Sequence, residues 1–399
     1  MHRSFAPCLA LACALVPACA TDDTDVSSTT DSVSQDVSLG FHREHVTGDI
    51  YHYTLTLPVG RTANAAIRIH RVVRELAPFV PRPTAHAAML LHGDFADFDS
   101  IFEPGLAPYL AANNTDVWGM DRRWTLATTD ISDFGTMSVA QELGDLKTAL
   151  TLARATRSAD GSGTGKLALV GFSHGAQLAY IYAAADGSQV GSLAALDFFA
   201  AYSPADAALQ AASCDNSAFE YQLVAGGTTD SPNDFFIQAG TLDETAPNDE
   251  SPIDPPMTNR EFMLFLLGQT YQFAPITPDY RLLQLSADGN SFAHTPELTA
   301  DHWLEQAPPH QSMLEAADLD AQLCGNGPIA APLSNIRVPL FYLGAEGAVG
   351  AHGLYTTTQV SSTDVTTRIV PNYGHGDLLF ATTAQQLAWQ PLASWLAHH

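Results

Sequence analysis

The sequence predicts an α/β protein with a mostly parallel central sheet, covered by helices on both faces and interrupted by one long insertion. Three observations carry that prediction. From about residue 46 onward, short β-branched and apolar runs alternate with stretches of helical period. Several runs are apolar without interruption, as strands buried on both faces are. One of them, KLALV, passes through a glycine-flanked turn directly into a helix-like segment. Strands and helices that alternate in this way assemble a parallel sheet.

The first four strand-like runs are IYHYTLTLPV, AAIRIHRVV, HAAMLLHG and TDVWGMD. Beyond them Val139, Leu143, Leu146, Leu150 and Ala153 recur at helical spacing, and Ser138 with Gln141 has the form of a capping box. KLALV is the fifth strand, GFSHGAQ the turn after it and AQLAYIYAAA its helix. LAALDFFAAY reads as the sixth strand, VPLFYLG as the seventh and TTRIV as the eighth, before an amphipathic end carrying Trp389, Leu392 and Leu396. Residues 207–334 break the alternation: they are rich in Pro, Asp, Gly and aromatic residues, with a helix-like run around Arg260–Tyr271. Within that run EFMLFLLG is apolar on nearly all sides, the pattern of burial more often than of a substrate-facing lid. The expected organisation is therefore a core of 46–206 and 335–399, with 207–334 inserted as a cap.

Residues 1–20, MHRSFAPCLALACALVPACA, combine a basic start, an apolar stretch too short to span a bilayer and small residues at the end, which predicts an export signal. Two cleavages fit. Val16-Pro17-Ala18-Cys19 resembles a lipobox that would leave Cys19 lipidated and the protein anchored to a membrane, although Pro17 is unusual there. Ala18-Cys19-Ala20 fits an ordinary small-x-small site and free secretion. Residues 21–45 begin with a Ser, Thr and Asp-rich stretch without apolar period and read as a disordered tether. Once Cys8, Cys13 and Cys19 are set aside, Cys214 and Cys324 remain, and an oxidising compartment predicts that they form one disulfide at the two ends of the insertion.

Composition narrows the function classes. Hydrophobic residues make up 46% of the chain and charged ones 15%, a globular balance. The 17 basic and 43 acidic residues give a formal charge of −26, which repels phosphate backbones and argues against nucleic-acid binding. No clustered His or Cys spacing suggests a metal centre, and no phosphate loop or dinucleotide fingerprint is found, so neither metal nor cofactor is expected.

The sharpest chemical signal is Gly171-Phe172-Ser173-His174-Gly175 between a buried strand and a helix. A hydroxyl used as a nucleophile must project from a sharp turn, and the flanking glycines omit side chains that would clash as strand and helix approach. Serine is a weak nucleophile at neutral pH and needs a histidine base. Asn372-Tyr373-Gly374-His375-Gly376-Asp377, after the last strand, offers His375 in the right chain order. His92-Gly93-Asp94-Phe95, after the third strand, suits an oxyanion hole built from the amide of His174 and that of Asp94 or Phe95, while a plain turn is the competing reading. The acid that orients the histidine is ambiguous: Glu346 after the seventh strand and Asp206 shortly after the sixth are the candidates. Asp364 precedes its strand and is expected on the opposite side, and Asp377 is expected to cap the turn beside His375.

These motifs in this order resemble the α/β-hydrolase superfamily, over about 46–206 and 335–399. VWGMDRRW also resembles the segment where such enzymes carry an Asp and Arg that brace the core, which implies a structural Asp121. The resemblance implies fold and catalytic machinery rather than substrate. A serine nucleophile points to ester, thioester or amide cleavage. The leading expectation is a carboxylic ester hydrolase acting on a small ester or acyl substrate through an acyl-enzyme, with peptidase or thioesterase activity as variants. A hydrolase-like binding protein without turnover is the reading from another class. Phe262, Phe265, Tyr271, Phe273 and Trp303 of the insertion suit an apolar acyl group or, more often, the insertion's own core.

Overall fold

The computed structural model describes residues 40–399 apart from 63, 128–129, 269–270, 274–276 and 285–299. The expected export signal, Cys19 and most of the expected tether lie outside the described residues. The central sheet has ten strands. In chain order they are β1 (Phe41–Thr47), β2 (Ile50–Pro58), β3 (Ala66–Ala77), β4 (Val80–Pro81), β5 (His86–Leu91), β6 (Thr115–Asp121), β7 (Leu167–Phe172), β8 (Val190–Leu196), β9 (Leu340–Ala345) and β10 (Val365–Val370). They lie in the order β1-β2-β3-β6-β5-β7-β8-β9-β10, with β4 folded onto β3. The pairs β1/β2, β2/β3 and β3/β6 are antiparallel, and every pair from β6 to β10 is parallel.

Every residue of β6, β7 and β9 is buried, so both faces of the sheet centre are covered, as their unbroken apolar runs predict. The helices supplying that cover include α1 (Phe98–Ile101), α2 (Leu106–Ala112), α3 (Val139–Ala159) and α4 (His174–Asp186). Ser138 Oγ accepts from Gln141 N (3.3 Å) at the start of α3, one half of the expected capping box. At the C-terminus Trp389, Leu392 and Leu396 are buried as their spacing predicts, and Trp389 Nε1 donates to Leu378 O (2.9 Å).

Strand β1 is a correction, because residues 41–45 were expected in the tether. FHREHVT is mostly exposed and carries no apolar alternation. What holds it is the main-chain ladder to β2, together with the Arg43 guanidinium, which donates to Glu75 (Nε to Oε1, 2.9 Å) and lies 3.7 Å over the Tyr51 ring. An edge strand of this kind leaves little hydrophobic trace.

The sheet has a switch point. The connection from β5 leads to β6 on one side, whereas β7 returns to the other side of β5, so the loops leaving the carboxyl ends of β5 and β7 face each other across a crevice. Those loops carry His92–Phe95 and Ser173.

Residues 207–334 add no strand to the central sheet among the described residues. They include α5 (Ala207–Ala225), α6 (Asp234–Thr245), α7 (Asn259–Gly268) and α8 (Met313–Cys324). In α7, Phe262, Met263, Leu266 and Leu267 are buried, which accounts for EFMLFLLG, while Phe265 is 45% exposed. Helices α5 and α8 pack on each other and are joined by the disulfide Cys214–Cys324, across 110 residues. The bridge thus ties together two helices from near the ends of residues 207–334. Breaking a loop of that length with Cys214→Ser and Cys324→Ser is expected to cost about 2–5 kcal/mol. Denaturant unfolding followed by circular dichroism, with oxidised wild type as reference, checks this.

Candidate active site

The turn at Ser173 is sharp because its backbone sits at φ 58°, ψ −136°, a conformation L-residues rarely adopt. The glycines around it are required by space. A Cβ on Gly171 would lie 2.2 Å from Gly175 O, and one on Gly175 would lie 2.2 Å from Leu91 O, so strand, helix and the neighbouring β5 could not close. Gly93 is confined in the same way, since its Cβ would meet that of Ser173 at 2.5 Å. Ser173 N donates to Leu196 O (3.0 Å), which locks the elbow to the end of β8.

His375 is buried beside this elbow. Its ring stacks on Phe172, the residue before Ser173, with centroids 4.5 Å apart. Its Nδ1 lies 2.7 Å from Asp197 Oδ2, and the other oxygen of Asp197 accepts from Ala345 N (2.7 Å). The carboxylate therefore accepts the hydrogen bond of Nδ1–H, which keeps the proton on Nδ1 and leaves Nε2 as the basic nitrogen. Main-chain bonds fix the loop: His375 N donates to Arg281 O (2.9 Å), and Asp377 Oδ2 accepts from Gly374 N (2.7 Å) and Gln284 N (2.7 Å). Asp377 thus braces this turn, and burial pushes its carboxyl up to about 7.

The carboxylate that meets His375 is Asp197, whereas the two expected candidates, Glu346 and Asp206, bond elsewhere. The expected sixth strand, LAALDFFAAY, runs over it, whereas β8 stops at Leu196 and Asp197 turns at φ 49°. A lone carboxylate inside an apolar run was the available signal. Glu346 is exposed, and its Oε2 accepts from Asn372 N (2.8 Å), bracing the histidine loop from outside. Asp206 bonds Ser203 Oγ (2.6 Å) and faces His352 Nδ1 (3.2 Å) at the start of α5. Asp364 faces His399 Nε2 (3.1 Å) at the start of β10, the opposite end of the sheet.

The residues expected to form an oxyanion hole lie on two facing loops. The His174 amide is the first of α4 and has no acceptor within its helix, and Phe95 stands at φ 53° in the facing loop. The side chains of Asp94 and His174 join the two loops, Oδ2 to Nδ1. Burial works to push the Asp94 carboxyl up, but His174 and Arg122 hold it below its usual range. Burial likewise works against charge on His174, and Asp94 raises it instead, so the two form an ion pair. Beneath them the buried Arg122 guanidinium donates to His92 O (2.5 Å) and to Glu315 of α8 (2.5 Å). Asp121 is fully buried, accepting from Phe98 N (2.8 Å) and bonded to His70 Nε2 (2.9 Å), a structural position as the resemblance implies.

Side chains from residues 207–334 reach both loops. Trp303 Nε1 donates to Phe95 O (2.9 Å), the Phe236 ring lies 5.0 Å from that of Phe95, and the Tyr280 ring lies 5.2 Å from His375. The side chains of Tyr271 and Phe273 lie outside the described residues.

A mostly parallel sheet with a strand-turn-helix elbow at its switch point, and an Asp–His pair beside it from later loops, is the architecture of the α/β-hydrolase fold, and the chain has that fold. No protein-family model matches the chain, and no curated protein matches it in sequence. Among solved structures, a protein assigned as a lipase from Sulfolobus solfataricus matches at 14% identity over 90% of this chain and 99% of its own, with a TM-score of 0.63. A hypothetical protein from Pseudomonas aeruginosa matches at 10% identity over 91% of this chain and 100% of its own, with a TM-score of 0.53.

Proposed function

We propose that the protein is a serine hydrolase that cleaves small carboxylic esters through an acyl-enzyme. The observation that carries this reading is the strained elbow at Ser173 beside an imidazole whose Nδ1 is held by Asp197. In the reaction, His375 Nε2 takes the Ser173 hydroxyl proton as Oγ bonds to the ester carbonyl carbon, and the imidazolium then gives that proton to the departing alcohol. Water repeats the sequence on the acyl-enzyme, releasing the acid and restoring Ser173. The amides of His174 and of Phe95 or Asp94 stabilise the oxyanion, and the N-terminus of α4 adds its dipole.

The substrate class is argued from the insertion, read as a cap. Phe236, Tyr280 and Trp303 stand against the oxyanion and histidine loops, which supports an apolar acyl group at the site. Export, with Cys19 lipidated or removed, belongs to the same proposal, supported by the N-terminal pattern and the disulfide. The mass of the mature N-terminal peptide separates the two cleavages.

The test is labelling of the wild type by a fluorophosphonate, with the modified peptide located by mass spectrometry, beside hydrolysis of p-nitrophenyl esters of rising chain length. Modification of Ser173 with ester turnover is the expected result. A folded protein that neither labels nor turns over esters, thioesters or peptides would make it a binding protein on a hydrolase scaffold.

A further inference from the structure

Away from the elbow, on the antiparallel side of the sheet, two histidines lie buried and face each other. His52 stands on β2 and His70 on β3; the register pairs His52 with Val72 and His70 with Thr54, so the two are diagonal neighbours. His52 Nε2 and His70 Nδ1 are 2.9 Å apart. Their outer nitrogens are both taken by carboxylates: His52 Nδ1 lies 3.1 Å from Glu44 Oε1 and His70 Nε2 lies 2.9 Å from Asp121 Oδ2. A carboxylate accepts hydrogen bonds, so each imidazole keeps its proton on the outer nitrogen. The two inner nitrogens then meet lone pair to lone pair, which is repulsive unless a cation sits at that point.

A third ligand group is aimed at the same point. Asp99, in the first turn of α1, places Oδ1 3.4 Å from His70 Nδ1 and 3.8 Å from His52 Nε2. Its other oxygen faces Arg68 Nη1 (3.8 Å), so Oδ1 remains for the imidazoles. A proton shared by the nitrogens is held by those two atoms alone, whereas a metal ion needs further ligands, and Asp99 supplies one. Around a tetrahedral zinc ion, ligand atoms about 2.0–2.1 Å from the metal stand roughly 3.3 Å from one another. The three observed separations straddle that value, and a shift of a few tenths of an ångström equalises them.

We propose that His52, His70 and Asp99 form a binding site for a divalent transition metal of zinc type, with Glu44 and Asp121 as the carboxylates that orient the two imidazoles. Two neutral imidazoles and one carboxylate suit zinc better than calcium or magnesium, which prefer oxygen donors. The outer carboxylates are the partners that metal-bound histidines regularly have. The site joins the β2–β3 hairpin to α1, which begins three residues after Phe95, so the metal clamps the loop that carries the proposed oxyanion amides. Sequence spacing predicts no such centre, because the ligands come from two strands and a distant turn.

The test uses the mature, untagged protein treated with a chelator and then titrated with zinc in competition with a chromophoric chelator. One equivalent is expected to bind, the unfolding midpoint to rise on binding, and cobalt(II) in place of zinc to show the visible bands of four-coordinate nitrogen and oxygen ligation. Asp99 and Glu44 are 46% and 48% exposed, so Asp99→Asn and Glu44→Gln retain the fold, which circular dichroism verifies. Glu44→Gln is expected to weaken binding by about 10- to 100-fold, and Asp99→Asn by at least as much. A wild type that binds well below one equivalent, or binding that both variants leave unchanged, would overturn the proposal.

Discussion

Ser173→Ala is expected to lower kcat for ester hydrolysis by about a millionfold and to abolish fluorophosphonate labelling, with the fold unchanged. The second half of that expectation follows from the elbow. Alanine bears the same backbone strain at φ 58° as serine, and the neighbouring glycines already leave room for a Cβ at this position. Lost turnover in this variant therefore reports on the hydroxyl. Ser173→Gly provides an internal control: it is equally inactive, yet it relieves a strain of order 1–3 kcal/mol, so its unfolding midpoint should rise above that of the wild type. Activity remaining in a folded Ser173→Ala protein would remove Ser173 from the nucleophile's role.

Asp197→Asn is expected to reduce kcat by about ten-thousandfold, and the local hydrogen bonds explain why so small a change acts so strongly. One carboxylate oxygen accepts from Ala345 N and the other faces His375 Nδ1. An asparagine must keep its only oxygen on Ala345 N, which turns its amide NH2 toward Nδ1. The imidazole then has to accept at Nδ1 and carry its proton on Nε2, the nitrogen that should take the serine proton. Glu346→Gln and Asp206→Asn leave this arrangement untouched and should turn over esters at close to the wild-type rate. Steady-state kinetics on the three variants decides the acid, and a strong loss in Glu346→Gln instead would return that role to Glu346.

What the sequence reveals of this molecule is whatever is encoded locally. The elbow is legible because strand, glycines, serine and helix are contiguous, and the buried parallel strands because their neighbours on both faces demand unbroken apolar runs. His375 is legible from its place after the last strand. Asp197 is hidden by the same rule that reveals the strands: buried apolar residues continue past it through Phe198 and Phe199, so the run looks like one long strand. Strand β1 is hidden because main-chain pairing and one arginine hold it, with little apolar pattern. The His52–His70–Asp99 group is invisible in one dimension, since a diagonal across two antiparallel strands leaves no fixed spacing to recognise.

The distances along the chain between the parts of the site matter as much as those in space. On the proposed triad, acid and base are 178 residues apart, and the buried Arg122–Glu315 pair under the His92–Phe95 loop spans 193. A growing polypeptide folds from its beginning, so it can form β7 and the serine turn long before residue 375 emerges. Until then the serine is an ordinary alcohol with no base to activate it. Contacts of such long range also form late and slowly. On that reading the serine stays unreactive until His375 has been made and has packed beside the elbow.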